Sequence, residues 1–256
     1  MPTPPLPPQS HDRRPAAVTG KSTDYPARHI VRAHQHPTNQ LIHAVHGVMV
    51  VSSSSGHWIV PPTRGIWMPA GTEHQVRMIG MVKMRTVYIW PDASPDLPTE
   101  CKAVSISSLL RELILAAMNI PGDYLPNSRH GRVMQLLIDE VALLPTLPLH
   151  LPHPSDPRLL EICDTLADQP DDASTLKHWS ERLEIDTKTI QRLFARETGM
   201  TFGQWRQQAR LLKALELLAG GERVLDVALQ LGYDSPSAFA TMFKRQFGTT
   251  PTGFFE

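Results

Sequence analysis

The chain has 256 residues, 41% hydrophobic and 20% charged, with 24 prolines and no formal net charge. That length accommodates two domains, each large enough to bury its own core, and the composition excludes wholesale disorder. Neutrality gives no overall basic footprint for nucleic acid, and no apolar run reaches the roughly 18 residues of a membrane span, so the chain reads as cytoplasmic without a membrane partner.

Residues 1–26 open with MPTPPLPPQSHDRRP. They are rich in Pro, Ser and Thr without periodicity, which predicts a flexible arm. From His29 to Pro91 short apolar or alternating runs (LIHAVHGVMVV, HWIVPP, GIWMPAG, VKMRTVYIW) are separated by Gly, Pro and Ser clusters, the pattern of an all-β barrel or sandwich. SISSLLRELILAAMNI and RHGRVMQLLIDEVALL then show apolar residues at helical spacing and predict a helical hairpin. Together these assign residues 27–145 to one domain. Cys101 and Cys163, the only cysteines, lie outside any metal-ligand or CxxC pattern and read as reduced structural thiols. The prolines of PTLPLHLPHPSDP argue against helix and central strand, and place a linker at 146–156.

Residues 157–256 read as nearly all helix, and two segments repeat one grammar: helix, tight turn, capping residue, second helix. The first is LKHWSERLEI, Asp186, TKTIQRLFARETG; the second is VLDVALQLGYD, Ser235, PSAFATMFKRQFG. Asp186 and Ser235 are good N-caps because their side-chain oxygens accept free amide protons of the next turn. Each segment therefore reads as a helix-turn-helix. On the first presumed recognition helix Ile190, Leu193 and Phe194 share one face, and Lys188, Gln191, Arg192 and Arg196 the other. Arg and Gln can pair bidentately with guanine and adenine, the chemistry that base readout needs. This half is slightly acidic overall, yet between Asp186 and Lys213 six basic residues (Lys188, Arg192, Arg196, Arg206, Arg210, Lys213) face two acidic ones (Asp186, Glu197). One charged helix face is ordinarily only a solvated face. Duplication shifts the balance, because the joining segment TFGQWRQQARLLKALELLAG, with Trp205, Leu211, Leu212, Leu215 and Leu218, can brace both units at the separation of successive major grooves.

From about Asp156 to Phe255 the strings QRLFARETG, RLLKALELLA and DVALQLGYDSPSAFATMFKRQFGTTP resemble the AraC/XylS-type transcription regulators. The resemblance implies that both units contact promoter DNA, through Lys188, Gln191, Arg192 and Arg196 in the first and Pro236, Ser237, Ala240, Thr241 and Lys244 in the second. Two departures stand out: Glu184 occupies a turn position where glycine is usual, and Phe254-Phe255 replaces an aromatic-Arg pair, which implies a short final helix.

Upstream, His34-Gln35-His36 with Gln40, and Pro69-Ala70-Gly71-Thr72-Glu73-His74, resemble the two motifs of the cupin barrel, the effector-binding domain of many such regulators. The resemblance implies an effector pocket at His34, His36, Gln40 and His74, with Trp67 an aromatic candidate at its mouth, and a possible divalent metal on His34, His36, His74 and Gln40. Gln40 stands where a glutamate is usual, and an amide oxygen is the poorer ligand. His46 shares the face of Gln40 if pairing runs unbroken, and His43 does not.

The expected fold is two-domain α+β: a cupin-like β-barrel with a helical hairpin, then an all-α domain of two helix-turn-helix units joined by a long helix. The expected function is transcription regulation under a small-molecule effector, not catalysis, as a homodimer joined through the two hairpin helices, with RNA polymerase a partner if the protein activates. A metal-dependent cupin enzyme fused to a DNA-binding domain and an effector-independent DNA-binding dimer are the alternatives.

Overall fold

The structure is a computed structural model and describes residues 16–62, 64–147 and 150–254. Its first half is a nine-stranded antiparallel sheet rolled about two long strands, β3 (Asn39–Ser53) and β6 (His74–Ile89). Along half their length these pair with β1 (Val18–Tyr25) and β5 (Arg64–Met68), and β5 continues to β7 (Lys102–Ser105) and β8 (Thr146–Leu147). Along the other half they pair with β2 (Ile30–His34) and β4 (Gly56–Val60), and β9 (His150–Pro152) extends β4. The β3–β6 register shifts on either side of His46. Gly47 takes φ 80° there, and a Cβ on it would meet the Met81 carbonyl oxygen, so only glycine turns this corner.

Alternation divides the sheet residues between two cores. Leu41, Trp67, Val87 and Val104 face outward under α1 (Ser108–Ala117) and α2 (Arg129–Ala142), which bury Leu110, Ile114, Leu137 and Val141 against them. Ile42, Ala44, Ile66, Met68 and Met84 face the interior, whose core runs on without a break into the helical half.

That half comprises α3 (Pro157–Asp168), α4 (Leu176–Arg182), α5 (Thr187–Thr198), α6 (Phe202–Ala219), α7 (Val224–Gln230) and α8 (Pro236–Phe247). Asp186 caps α5 by accepting from the Thr189 N–H, and Ser235 caps α8 by accepting from Ala238. Left-handed glycines, Gly199 and Gly248, close both helices. Helix α6 is the expected strut, opened by a capping box between Thr201 and Gln204.

Three expectations need correction. Residues 18–25 are not a flexible arm: β1 pairs with β6 from Val18↔Ile89 to Tyr25↔Val82, a non-local partnership that its mostly polar sequence does not advertise. The expected arm's first fifteen residues lie outside the described ones. The linker is not free either. Leu151 pairs with His57 at the sheet edge, where a proline at the strand's end, Pro152, removes no needed hydrogen bond. Finally, residues 251–254 form turns rather than a short helix, and Phe254 packs its ring on Phe243 and Phe247 at 5.4 and 5.0 Å.

Candidate effector pocket and nucleic-acid interface

His34 ends β2, His74 begins β6 directly opposite it, and His36 follows two residues beyond His34. The turn carrying His36 is tied to the 69–72 loop: Gly71 N–H donates to the His36 carbonyl (2.8 Å) and Ala70 N–H to Asn39 Oδ1 (2.9 Å). The result is one cluster in which one ligand atom from each of His34, His36 and His74 lies within 4.8 Å of the others.

Backbone carbonyls fix two of these tautomers. His34 Nδ1 lies 2.7 Å from the Arg32 oxygen and His74 Nδ1 2.9 Å from the Thr72 oxygen. A carbonyl only accepts, so both Nδ1 atoms carry a proton, and in the neutral ring this tautomer leaves the lone pair on Nε2. Nε2 of His36 and of His74 are buried without a partner. Gln40, 4% exposed, reaches the Tyr88 hydroxyl with its amide and leaves Oε1 unpartnered. Burial, then the neighbouring His34 and His74, pushes the His36 imidazole pKa down; burial does the same at His74, against the Thr72 carbonyl, which raises it. Burial pushes the Tyr88 phenol up. Buried acceptors with no donor to satisfy them call for a cation or a donor-rich ligand, and imidazoles held through Nδ1–H by carbonyls are the arrangement in which histidines bind transition metals.

The three histidines expected in this pocket therefore converge, Gln40 is linked to them through Tyr88, whose ring lies 5.1 Å from that of His36, and Trp67 is elsewhere. Its cross-strand partner Leu41 is one position out of phase with Gln40, which puts the indole under the hairpin helices, donating to the Pro98 oxygen at 2.8 Å. Tyr88 replaces it. No local motif marks Tyr88; only the pairing of β3 with β6, which sets Gln40 against Tyr88, reveals it. His43 is fully buried on the opposite face, bonded to the Arg64 oxygen at 2.9 Å, and His46 is exposed at the corner where the register breaks.

In the helical half Lys188, Gln191, Arg192 and Arg196 are all exposed on α5, opposite buried Ile190, Leu193 and Phe194. On α8 Ser237, Thr241 and Lys244 are exposed, while Pro236 and Ala240 are partly covered. The other basic residues of that stretch are structural. Arg206 donates to the Ser174 oxygen (3.0 Å), Arg210 to the Pro170 and Asp172 oxygens (2.5 and 3.1 Å), and Lys213 pairs with Glu216 (3.8 Å). The turns of the two units superpose in logic: Glu184 takes φ 54° where Gly232 takes φ 71°.

Two helix-turn-helix units joined by one long helix, behind a barrel with a histidine cluster, define a DNA-binding transcription regulator with its own ligand-binding domain. A model of the AraC-like ligand binding domain matches residues 15–183, and a model of a helix-turn-helix domain matches residues 179–256. The chain is 38% identical over 218 residues to the HTH-type transcriptional regulator NimR of Escherichia coli (strain K12), covering 85% of this chain and 80% of NimR. It is 39% identical over 66 residues to the regulatory protein SoxS of the same strain, covering 25% of this chain and 62% of SoxS. The solved structure of ToxT from Vibrio cholerae aligns over 93% of this chain and 98% of ToxT, at 9% identity and a TM-score of 0.39. The chain belongs to the AraC family of transcription regulators, with an N-terminal ligand-binding domain and a C-terminal helix-turn-helix domain. Among the described residues no helix is long and apolar enough to cross a membrane.

Proposed function

We propose that this regulator receives its signal at the cluster of His34, His36, His74 and Gln40, which holds a divalent transition metal, and that its occupancy changes how α5 and α8 engage promoter DNA. The observation that carries this reading is the donor set: three clustered imidazoles, two of them with a buried Nε2 that has no partner, and nearby the unpartnered amide oxygen of Gln40. Imidazole suits zinc, copper, iron and nickel, and three protein imidazoles leave positions for a small-molecule effector. A bound metal would supply Lewis acidity toward that effector. The chain's own residues fix the tautomers through Arg32 and Thr72 and place the Tyr88 hydroxyl and Gln40 beside the cluster.

On the DNA side, Lys188, Gln191, Arg192 and Arg196 supply most base readout, and Pro236, Ser237, Ala240, Thr241 and Lys244 supply phosphate anchoring and groove fit. The regulator acts in the cytoplasm as a homodimer, binds rather than transforms its effector, and touches RNA polymerase where it activates. Leu109, Leu136 and Leu143, 48%, 43% and 80% exposed on or just beyond α1 and α2, support dimerisation through the hairpin. Elemental analysis of purified full-length protein tests the metal reading. Stoichiometric metal in the wild type and none in His36→Ala/His74→Ala supports it; metal-free wild type that takes up no Co2+ or Zn2+ sinks it.

A further inference from the structure

Between α6 and α8 lies a hollow of about 290 Å³ lined by Arg206, Gln207, Arg210, Tyr233 and Arg245. Arg245 is exposed and in no ion pair among the described residues, and Arg206 and Arg210 are held by carbonyl oxygens of the loop between α3 and α4. Those partners are dipoles, so they orient the guanidinium groups without cancelling their charge. Burial and then the charge of neighbouring Arg206 push the Arg210 pKa down, against Tyr233, Asp171 and Asp172. Asp171 and Asp172 lie near Arg210 and offset part of its charge.

The hollow's position gives it a ligand. It shares Met242 and Arg245 with a second hollow that runs along the exposed stripe of α8 through Ser237 and Thr241. Its other wall is α6, the helix that joins the two units, so it sits where the joining helix meets the second helix-turn-helix unit. A duplex that took α8 into its major groove would bring the backbone flanking that groove, rather than base edges, to a hollow beside the helix.

We propose that this hollow seats one phosphodiester of the duplex beside the groove that α8 enters, with Arg245 and Gln207 as the reaching groups and Arg206 and Arg210 as a fixed positive floor. This rests on the reading that α8 enters the major groove. Arg245 belongs to the hollow through the fold, being brought beside α6 residues about forty positions earlier.

The test uses full-length protein and a duplex selected by that protein from a random pool, carrying single neutral methylphosphonate substitutions at successive positions. Arg245→Gln is expected to weaken selected and scrambled duplexes alike and to lower the salt slope by about one counterion. One methylphosphonate that weakens wild-type binding should have no further effect on Arg245→Gln. An Arg245→Gln protein with the wild-type salt slope, or with the same methylphosphonate profile as wild type, overturns the proposal. Thr241→Ala separates the two readings: if it changes base preference while Arg245→Gln is silent, α8 reads DNA and the hollow is not a phosphate seat. If both are silent and no methylphosphonate in that half matters, the reading of α8 itself fails.

Discussion

Glu197, on the last turn of α5, accepts hydrogen bonds from both the N–H and the hydroxyl of Ser155, at 2.9 and 2.8 Å, in the segment that joins the two domains. The same oxygen accepts the Asp156 N–H at 3.2 Å, and the other carboxylate oxygen pairs with Arg196 at 2.9 Å. Three residues earlier, the Pro152 oxygen accepts from Trp205 Nε1 at 3.0 Å, and Pro152 ends β9, which is hydrogen-bonded to barrel strand β4. Helices α5 and α6 are thus fastened to barrel strand β9 and the segment just after it through one carboxylate and one indole.

Glu197→Gln should loosen that fastening. The Arg196 guanidinium and then the Ser155 hydrogen bonds hold the Glu197 carboxyl down to about 2 from its ordinary 4.5. A depressed carboxyl contributes stability above its unfolded value and loses it as pH falls through its folded value, so the clamp is complete above about pH 4.5 and gone near pH 2. At neutral pH Glu197→Gln is expected to raise the rate of proteolysis between residues 153 and 156 several-fold while leaving the helical content unchanged. Unaltered cleavage means the carboxylate does not secure the segment.

The two turns should respond to substitution with opposite signs. Glu184 adopts a left-handed backbone at a cost glycine avoids, so Glu184→Gly should stabilise by about 0.5 to 1 kcal/mol. At Gly232 a Cβ would meet the Asp171 Cα and carbonyl oxygen at 3.2 Å and would also carry the left-handed φ, so Gly232→Ala should destabilise by about 1 to 3 kcal/mol. Urea midpoints for both variants decide this; a shift of the same sign in both contradicts the turn assignment.

Base reading and phosphate binding separate by salt titration. Arg192→Ala should cost about 1 to 3 kcal/mol on the selected duplex and relax preference at one base position. Lys244→Ala should weaken selected and scrambled duplexes alike and lower the salt slope by about one. Equal losses on both duplexes for Arg192→Ala would remove base readout from α5.

Acidification should weaken the barrel. Burial, the largest effect, pushes the fully buried His43 below its ordinary 6.5, against the Arg64 carbonyl, which raises it. A depressed imidazole favours the neutral folded state, so its contribution is present above pH 6.5 and lost as pH falls through the lower folded value. Chemical stability measured from about pH 7.5 to about pH 5.5 should fall. In His43→Gln the fall should be smaller, and an identical slope in both proteins counts against the assignment.

The helix-turn-helix units are legible in the sequence because their determinants are local: Asp186 and Ser235 act within one turn, and Gly199 and Gly248 terminate the helices they follow. The histidine cluster is legible for a different reason, since His34 and His36 stand two apart and His74 closes a recognisable motif. What the sequence conceals is register. Trp67 and Tyr88 exchange roles on a single-residue phase that only the pairing of β3 with β5 and β6 fixes, and β1 and β9 owe their existence to distant partners rather than to their own alternation. Charge counting misleads in the same way. Arg206 and Arg210 look like free members of a DNA-facing run and are tethered to carbonyl oxygens of a loop 32 and 40 residues earlier, which fixes where their charge can act.

In the function proposed above, the histidine cluster governs DNA binding by α5 and α8. The most direct measurement is an equilibrium titration of the selected duplex with full-length protein, metal-stripped and reloaded with Zn2+ or Co2+, for wild type and for His36→Ala/His74→Ala. Wild type should take up metal and change its affinity at least about tenfold, a difference of about 1.4 kcal/mol. The double variant should do neither and keep the affinity of the stripped wild type. Equal affinities for stripped and loaded wild type, or an undiminished metal response in the double variant, would contradict the account.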